Sequence, residues 1–523
     1  MKLLFVARHF TYFRNFESVI RELAAHGHSL HLAAERDDAI GGVAQVEKLA
    51  SGSPRVTFGE APAREADEWA PLAARVRLAF DYVRYLDPMY DGTPRLRSRA
   101  AERAPEFAVR FGDSAWARCG PARAIVRAGL RRVESALPGS SRIEAYLREQ
   151  KPDALLITPL IGVVSSPQPD YVRAARALGI ASALCVWSWD HLSSKALIRD
   201  VPDRVMVWNE VQRDEAVRLH RVPADRIVVT GAQCFDQWFD RQPSRTRQEF
   251  CAQAGLDADR PYVLYVGSAL FGGSPSEAAF VMRWIAHLRT SRDARVREAN
   301  VLVRPHPQRM KEWDGIDVSA TPGVAVRSGN PVTDAARADY FDSLAHSAAV
   351  VGLNTSAFLE AAIAKRPVLA ILPPEFRDNQ EGTIHFHYLT RVGGGLLRIS
   401  RTLEEHVRQL SEILPVGTVD MPHAEFLQAF VRPRGLDQPA TPVFAQAVES
   451  LAGLTVRARR RNPSPIARAL LNVVRKTAES PKHRHWLMDE EDRRVHAWRE
   501  TKAQARAAQR RADMSGERPV RRS

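Results

Sequence analysis

Hydrophobic residues along the chain form short continuous runs separated by amphipathic stretches, and this alternation predicts strands and helices in turn. The first run, KLLFVA, is followed by a stretch at 17–25 in which Val19, Ile20 and Leu23 have helical spacing. His26-Gly27-His28 ends this helix, and SLHLAA is the next apolar run. A strand, a helix and a second strand in this order predict a parallel sheet covered by helices.

The pattern changes between about residues 61 and 136, where long Arg- and Ala-rich segments with interrupting prolines predict helices and no strand. Strands resume at DALLITPL, and a second alternating series begins after a polar stretch near 240–247. The predicted strands of both series lie at 153–160, 181–189, 203–209, 225–232, 261–269, 301–307, 348–354 and 367–372. Helices are predicted between them at about 171–178, 210–219, 275–289 and 356–364.

Two α/β series of this length predict two Rossmann-like domains that face each other across a cleft. We assign residues 1–235 to an N-terminal Rossmann-like domain with the helical excursion at about 61–136, and residues 236–455 to a C-terminal Rossmann-like domain. Residues 456–523 are predicted to be a basic tail, partly helical or disordered. A total of 523 residues with 45% hydrophobic and 26% charged residues agrees with a globular enzyme and excludes a fibrous or largely disordered chain.

Net charge is unevenly distributed along the chain. The whole sequence carries +14, and residues 457–523 contain 19 Lys and Arg against 8 Asp and Glu, so this segment supplies about +11. A basic segment of this kind fits the anionic head groups of a membrane and fits nucleic acid less specifically, although it is also compatible with a simple solvated extension. No specific nucleic-acid partner is expected.

Cysteine usage and the N-terminal residues indicate the compartment. Cys119, Cys185, Cys234 and Cys251 form no CxxC pair and no metal-binding spacing, which predicts reduced thiols in a cytoplasmic protein. In the opening MKLLFVARHF the apolar run is too short for the core of a signal peptide. No run along the chain approaches the ~18 apolar residues of a membrane span. Any work at a membrane is therefore expected at its inner face.

Small and polar residues follow the predicted strands of the second series, where parallel sheets bind ligands. VVGLNTSAFLE is the most informative stretch, because a helix that begins at Thr355 and Ser356 presents free N–H groups to a phosphate. Either hydroxyl could equally be only an N-cap, and Glu360 could hold ribose hydroxyls or simply face solvent. The candidate nucleotide-binding residues are Gly267, Ser268, Arg304, His306, Asn354, Thr355, Ser356 and Glu360.

The stretch VLVRPHP ends a buried strand in Arg304 and His306. Pro305 and Pro307 restrict the backbone to an extended form, so these two side chains are expected to be held rigidly. Beside a helix that can bind phosphate, an arginine and a histidine are suited to one wall of a nucleotide pocket. A structural histidine at a strand end is the alternative.

The first series is expected to supply the acceptor side and a general base. His9 ends the first strand, and a histidine of near-neutral pKa suits the deprotonation of a hydroxyl, although a packing role in an aromatic loop is also open. In WSWDHLSSK, tryptophan faces can stack on sugars, and Asp190 or His191 can act on the acceptor. The candidate catalytic residues are thus His9, Asp190 and His191.

RPHP after a strand, followed by GLNTSAFLEAAIAKRPVLA, resembles the donor half of GT-B glycosyltransferases, nearest to CDP-glycerol glycerophosphotransferases and capsular-polysaccharide transferases. The resemblance implies that His306 and Pro307 contact the donor nucleotide, that Thr355 and Ser356 bind phosphate, and that Glu360 holds ribose. It also implies that residues 1–235 are the acceptor domain and residues 236–455 the nucleotide-donor domain. The expected partners are a nucleotide-sugar or CDP-polyol donor and a glycan or lipid-linked acceptor, with no donor-bound metal or other cofactor.

UDP-N-acetylglucosamine 2-epimerases are structural cousins of this group, and the sequence departs from them at two places. Asn354-Thr355-Ser356 stands where the epimerase has a longer acidic, Gly-rich turn, and Arg8-His9-Phe10 replaces its arginine-bearing first loop. The expected function is a cytoplasmic transferase of cell-surface polysaccharide or glycolipid assembly. The tail is expected to make any peripheral contact with the membrane. A UDP-sugar 2-epimerase and a non-catalytic nucleotide-sugar-binding protein are the alternatives.

Overall fold

Two parallel β-sheets form the frame of the molecule in the computed structural model, which describes residues 1–36, 41–62, 67–162, 168–318, 320–414 and 423–495. The first sheet has seven strands in the order β3-β2-β1-β4-β5-β6-β7, and the second has six in the order β10-β9-β8-β11-β12-β13. Strands of the first sheet are β1 Lys2–His9, β2 Ser29–Arg36, β3 Val56–Glu60, β4 Ala154–Thr158, β5 Ala181–Cys185, β6 Arg204–Val207 and β7 Ile227–Val229. Strands of the second are β8 Tyr262–Val266, β9 Asn300–Arg304, β10 Val324–Val326, β11 Ala349–Gly352, β12 Val368–Ile371 and β13 Arg398–Ser400.

Helices connect the strands and cover both faces of each sheet. In chain order they are α1 Glu17–Ala25, α2 Gly42–Ser51, α3 Ala70–Arg84, α4 Pro94–Ala101, α5 Glu106–Asp113, α6 Gly120–Ala136, α7 Ser141–Gln150, α8 Gln168–Leu178, α9 His191–Ser194, α10 Glu210–His220, α11 Asp236–Phe239, α12 Arg247–Ala254, α13 Glu277–Arg289, α14 Ala294–Arg297, α15 Asp334–Ala345, α16 Ala357–Ile363, α17 Tyr388–Arg391, α18 Leu403–Ile413, α19 His423–Phe430, α20 Ala440–Glu449 and α21 Pro465–Glu479. None of those in the described residues combines the length and hydrophobicity of a bilayer span.

The strand order confirms the fold class predicted from the sequence. In each sheet the first strand along the chain is central, two successive strands lie to one side and the later strands to the other, which is the doubly wound Rossmann arrangement. Strands β4, β5, β8 and β9 are buried at every position because helices cover both faces, which explains their continuous apolar runs. The predicted helical excursion is present as α3 to α6.

Three strands were missed by the sequence analysis, and all three lie at sheet edges. In β3 only the first of five positions is buried, and β10 and β13 are three residues long. A short, half-exposed edge strand has neither a long apolar run nor a clean alternation, so the pattern that predicts central strands is absent from it.

Contacts group the described residues into two compact units. The first contains both sheets and comprises residues up to 62, 141–162 and 168–459; the second comprises 67–140 and 460–495. Within the second unit α21 packs on α6, so part of the predicted tail joins the helical excursion. The domain boundaries at 235 and 455 stay predictions.

Helix α20, which follows the strands of the second sheet, packs against the first sheet. This contact was not predicted from the sequence. Phe444 of α20 lies in the hydrophobic cluster of the first sheet, with its ring centroid 5.8 Å from that of Phe16. Asp236 fixes this contact: its carboxylate accepts hydrogen bonds from Arg432 (Nη2, 2.9 Å) and from the backbone N–H of Thr441 (2.7 Å). The two segments that connect the sheets are therefore tied to each other.

Candidate nucleotide-binding site

A cavity of about 280 Å³ lies at the carboxyl ends of strands from both sheets. Six of the eight predicted nucleotide-binding residues line it: Gly267, Arg304, His306, Thr355, Ser356 and Glu360. Arg304 ends β9, Glu360 lies in α16, and the other four are in the loops after β8, β9 and β11, as expected for parallel strands that end at the same edge. Further lining residues are Arg14, Asn15, Trp187, Ser188, Trp189, Trp208, Cys234, Phe235, Gln237, Trp238, Val266, Pro305, Pro307, Gly329, Asn330, Pro331, Arg337, Tyr340 and Ala357.

Gly267 allows two of these loops to meet. Its N–H donates to the carbonyl oxygen of Arg304 at 2.8 Å. A Cβ at this position would lie 2.4 Å from the backbone nitrogen of His306 and 3.1 Å from the carbonyl carbon of Pro305. Only glycine fits here, and the close approach seats the RPHP segment against the end of β8.

His306 is a neutral hydrogen-bond donor at the cavity wall. Burial lowers its pKa to about 4, and the positive charges of Arg309 and Arg14 act in the same direction. Its Nδ1 accepts the backbone N–H of Gln308 at 3.3 Å, and a neutral ring that accepts at Nδ1 carries its hydrogen on Nε2. At neutral pH the ring therefore offers Nε2–H to an oxygen acceptor.

Arg304 is anchored by a carboxylate that it shares with two other arginines. Its guanidinium, 7% exposed, donates to the carboxylate of Asp339, which also accepts from Arg327 (2.6 Å) and Arg245 (2.7 Å). Burial alone would raise the pKa of Asp339, but the three arginines hold it well below its usual range. Arg245 also pairs with Asp342 at 2.8 Å, so three cations share two carboxylates and one positive charge is left beside the cavity.

Arg14 is a lining residue that the sequence analysis missed. It belongs to a 3₁₀-helix, Phe10–Phe16, that follows β1 and buries Phe10, Phe13 and Phe16. From this first loop only Arg8-His9-Phe10 was named from the sequence, as a departure from the epimerases; the aromatic anchors of the 3₁₀-helix bring Arg14 to the cavity. The signal was present in the FTYFRNF stretch, where one cation stands among residues that must be buried.

Thr355 and Ser356 differ in how they begin α16. The Thr355 hydroxyl accepts the N–H of Ala357 at 3.4 Å, a weak capping bond, while Ser356 occupies the N-cap position without a side-chain bond to the helix. The exposed Ser356 hydroxyl is therefore available to a ligand in the cavity.

Glu360 lines the cavity. The alternative left open by the sequence was a side chain that faces solvent. Burial raises the pKa of Glu360 to about 7, while a hydrogen bond from Tyr340 and the charge of Arg14 limit the rise. The Tyr340 hydroxyl donates to Oε2 of Glu360 at 2.7 Å, which leaves Oε1 for a ligand hydroxyl. Near neutral pH this side chain is divided between its two protonation states.

Ser268 and Asn354 support the wall from behind, and neither is among the described residues that line the cavity. The backbone N–H of Asn354 donates to Ser268 Oγ at 3.2 Å, and Asn354 Nδ2 donates to the carbonyl of Asn379 at 2.5 Å. The N–H of Ser268 donates to Glu277 Oε2 at 2.9 Å. These bonds hold the loops after β8 and β11 together.

None of the three predicted catalytic residues is among the described residues that line the cavity. The ring of His9 lies 4.5 Å from that of Tyr12, which in turn lies 5.1 Å from the lining residue Trp187. Asp190 accepts hydrogen bonds from Lys195 Nζ and Ser194 Oγ, both at 2.9 Å, so its carboxylate is used within its own turn. Their catalytic roles stay predictions.

His191 is fully buried behind the tryptophan turn, and burial lowers its pKa to about 4.

Within the described residues, one group of histidine and carboxylate side chains lies at metal-ligand distances: His26, His28 and Glu449. Glu449 Oε1 lies 2.8 Å from His26 Nδ1 and 2.9 Å from His28 Nε2, and none of the three lines the cavity. That the nucleotide-activated donor binds without a metal ion stays a prediction.

Three buried carboxyl groups predict how stability depends on pH. Burial raises the pKa of Glu215 to about 8 and of Glu277 and Glu360 to about 7, from an ordinary value of 4.5. The folded state keeps these protons where the unfolded chain has lost them, so their contribution is fully present below pH 4.5 and is lost as the pH rises through 7 to 8. We expect the melting temperature to fall between pH 5 and about 8.

Glu215→Gln is expected to remove part of that fall, because an amide does not ionise. Tyr388, whose hydroxyl donates to Glu215 Oε1 at 2.7 Å, keeps an acceptor in this variant. Glu210→Gln on the same helix is the matched control, since the Glu210 side chain is 69% exposed. Equal pH slopes for the wild type and Glu215→Gln in calorimetric scans would contradict the assignment.

The fold and the cavity together define a protein of the two-Rossmann, GT-B architecture. The chain matches no protein-family model and no curated protein sequence. Similar solved structures include the UDP-GlcNAc 2-epimerase of Methanocaldococcus jannaschii, with 12% identity and a TM-score of 0.48 over 86% of this chain and 100% of that one. A glycosyltransferase from Rickettsia africae has 9% identity and a TM-score of 0.45 over 91% and 98%.

MurG of Acinetobacter baumannii is also similar, with 14% identity and a TM-score of 0.43 over 86% of this chain and 99% of that one. Both epimerases and glycosyltransferases are therefore found among structures that resemble this chain. Identities this low do not transfer an activity.

Proposed function

We propose that the protein is a transferase that moves a sugar, or a polyol phosphate, from a nucleotide-activated donor to an acceptor of cell-surface polysaccharide or glycolipid assembly. The observation that carries the proposal is one cavity in which Arg14, the neutral His306 and the carboxyl of Glu360 come together. The resemblance of RPHP and GLNTSAFLE to GT-B transferases supports the same donor. We further propose a cytoplasmic location, consistent with four free cysteines.

Phosphate recognition is supported by the charges at the cavity. Arg14, Arg304 and Arg337 line it, against a single lining carboxyl group, Glu360, in the described residues. Arg304 is held by Asp339, and Arg337 Nη1 lies 3.3 Å from Glu17 Oε2, so both cations are fixed in place. Guanidinium groups held in a partly desolvated cleft bind phosphate strongly.

Recognition of the remaining donor groups is supported by aromatic and polar surfaces. Four tryptophans line the cavity: Trp187, Trp189, Trp208 and Trp238. Trp189, Trp208 and Trp238 are buried in the core, so Trp187 is the one whose face can stack on a base or a sugar ring. Among the described residues, the indole N–H of Trp187 and the Nε–H of Arg304 are buried donors without a hydrogen-bond partner.

The proposed mechanism is displacement at the donor carbon or phosphorus. Arg14 and His306 Nε2–H would stabilise the charge that develops on the departing phosphate, with Ser356 as a further donor. Glu360 would hold the ribose. We retain His9 at the end of β1 as the proposed base for the acceptor hydroxyl, and propose that no metal is bound to the donor.

A UDP-sugar 2-epimerase is the second candidate, and Arg14 is the observation that favours it, because it brings an arginine from the first loop to the cavity. Epimerisation needs no acceptor. Incubation of the purified protein with UDP-sugars alone, followed by NMR, separates the two activities: a new epimer supports the epimerase, and unchanged sugar with turnover on an added glycan acceptor supports the transferase. Tight nucleotide binding with neither activity would identify a non-catalytic binding protein.

A thermal-shift screen of CMP, CDP, UDP, GDP and ADP tests the donor site. A ligand that binds only the folded state raises the melting temperature, so we expect one base to give the largest shift and CDP to give a larger shift than CMP. Arg14→Ala is expected to weaken the diphosphate about tenfold, the loss of one charge-assisted hydrogen bond.

Arg148→Ala is the matched control for Arg14→Ala, because Arg148 lies on α7, pairs with Glu144 at 2.9 Å and is not a lining residue of the cavity. Its affinity should equal that of the wild type. No shift with any of the five nucleotides would contradict the proposed donor site, and an equal loss in both arginine variants would show that general charge, and not Arg14, is responsible.

A further inference from the structure

The turn between α1 and β2 and the end of α20 bring two imidazole rings and one carboxylate together. His26 and His28 flank Gly27 in the turn, and Glu449 is the last residue of α20. Oε1 of Glu449 lies 2.8 Å from His26 Nδ1 and 2.9 Å from His28 Nε2. The two ring nitrogens therefore point at one place, although 423 positions along the chain separate His26 from Glu449.

The backbone that carries both histidines is fixed by the end of α1. Gly27 has a φ of +88°, in the left-handed region that favours glycine. The N–H of His28 donates to the carbonyl of Leu23 at 3.0 Å, and the N–H of Gly27 donates to the carbonyl of Ala24 at 3.1 Å. These two bonds form a Schellman motif, so the positions of the two histidines on either side of the glycine are set by the helix itself.

Two imidazole nitrogens and a carboxylate oxygen are the ligands of zinc-type ions, whereas Mg²⁺ and Ca²⁺ prefer oxygen ligands. Zn²⁺ bonds of about 2.0–2.2 Å place tetrahedral ligand atoms about 3.3 Å apart, so Glu449 would have to move back by about 0.5 Å. Its side chain is partly exposed at the end of a helix and can make this movement. Both histidines are also partly exposed, which leaves room for water as a fourth ligand.

The outer ring nitrogens have partners of their own. Oε1 of Glu22 lies 3.6 Å from His26 Nε2, and a carboxylate at the outer nitrogen orients the ring of a metal-binding histidine and makes it a stronger ligand. His28 Nδ1 lies 3.0 Å from the amino group of Met1. When His28 Nε2 binds a metal, the ring hydrogen must lie on Nδ1, so this pair releases a proton on binding.

We propose that His26, His28 and Glu449 bind a divalent transition-metal ion of the zinc type, with water as the fourth ligand. The ion would join the end of α1 to the end of α20, the helix that packs against the first sheet. A cluster that only forms hydrogen bonds is the alternative. None of the three residues lines the nucleotide cavity, so the site is structural and does not depend on the proposed function.

Calorimetric titration of the full-length protein with Zn²⁺, after purification without a histidine tag and treatment with EDTA, tests the proposal. We expect one strong site, release of a proton, and a higher melting temperature with Zn²⁺, because an ion that binds only the folded state stabilises it. Mg²⁺ at the same concentration should have no such effect, since imidazole is a poor ligand for this ion.

Glu449→Gln removes the anionic ligand and keeps an oxygen that accepts hydrogen bonds from both histidines. Loss of an outer partner already costs 10–100-fold in metal affinity, so loss of the ligand itself should weaken Zn²⁺ binding at least about tenfold. The melting temperature without metal should stay near that of the wild type, which excludes misfolding as the cause. Zn²⁺ affinity equal to that of the wild type would overturn the proposal.

His483→Ala with His485→Ala is the matched control for His26→Ala with His28→Ala. Both are pairs of histidines two positions apart, but His483 and His485 belong to no histidine and carboxylate group at metal-ligand distances in the part of the chain that the structure describes. The control should keep the strong site, and loss of His26 and His28 should abolish it. No strong site in the wild type, or an equal loss in both double variants, would leave a hydrogen-bonded cluster only. Nucleotide-induced shifts should be the same in all variants.

Discussion

Replacement of Gly267 by alanine is expected to lower nucleotide affinity at least about tenfold and to reduce the melting temperature by several degrees. The new methyl group would stand 2.4 Å from the backbone nitrogen of His306, a distance that requires the backbone to move. Pro305 and Pro307 stiffen that segment, and β9 is hydrogen-bonded to β8 along its whole length, so the strain cannot relax locally. Overpacking of this kind costs about 1–3 kcal/mol.

Gly272→Ala is the control for Gly267→Ala. Gly272 lies five residues further along the same loop, and a Cβ there meets no atom within 4 Å. Calorimetry and nucleotide titration of both variants should separate them clearly. Near-wild-type affinity in Gly267→Ala would show that the RPHP segment does not have to lie against the end of β8 for the nucleotide to bind.

The frame and one wall of the site could be predicted from the sequence because both follow from buried parallel strands. Strands such as Tyr262–Val266 are covered on both faces, so they are continuous apolar runs with clear ends. Residues just after those ends, such as Gly267 and His306, necessarily meet at one sheet edge. The residues that the second sheet contributes to the cavity wall could thus be brought together from the sequence alone.

The first-sheet side could not be predicted equally well, because its side chains are oriented by tertiary contacts. Spacing alone does not distinguish Arg8 from Arg14, and the burial of Phe13 and Phe16 decides which arginine reaches the cavity. Asp190 is a predicted catalytic candidate, and only the fold shows that its carboxylate accepts from Lys195 and Ser194. Local hydrogen bonds of this kind leave no mark in the sequence.

The nucleotide affinity of the wild type is expected to rise between pH 6 and about 8, and Glu360→Gln should remove that rise. Burial raises the pKa of Glu360 to about 7, so the ionised carboxylate, the stronger acceptor for ribose hydroxyls, becomes dominant only above neutrality. At pH ~8 the variant should bind about tenfold more weakly, the difference between a charged and a neutral hydrogen bond. Tyr340→Phe removes a hydrogen bond that lowers this pKa, so its midpoint should move to higher pH.

Two controls connect the effect to Glu360 and its ribose contact. A 2′,3′-dideoxynucleotide with the same base and phosphates lacks the hydroxyls, so its affinity should depend on pH equally in the wild type and in Glu360→Gln. Stability should change in the opposite direction: because the raised pKa favours the folded state at low pH and this advantage is lost through pH 7, Glu360→Gln should be relatively more stable at high pH than at low pH. Wild-type affinity of Glu360→Gln for the ribonucleotide at pH ~8 would exclude Glu360 as the ribose ligand, whereas weaker binding with a retained or raised melting temperature assigns the loss to the contact itself.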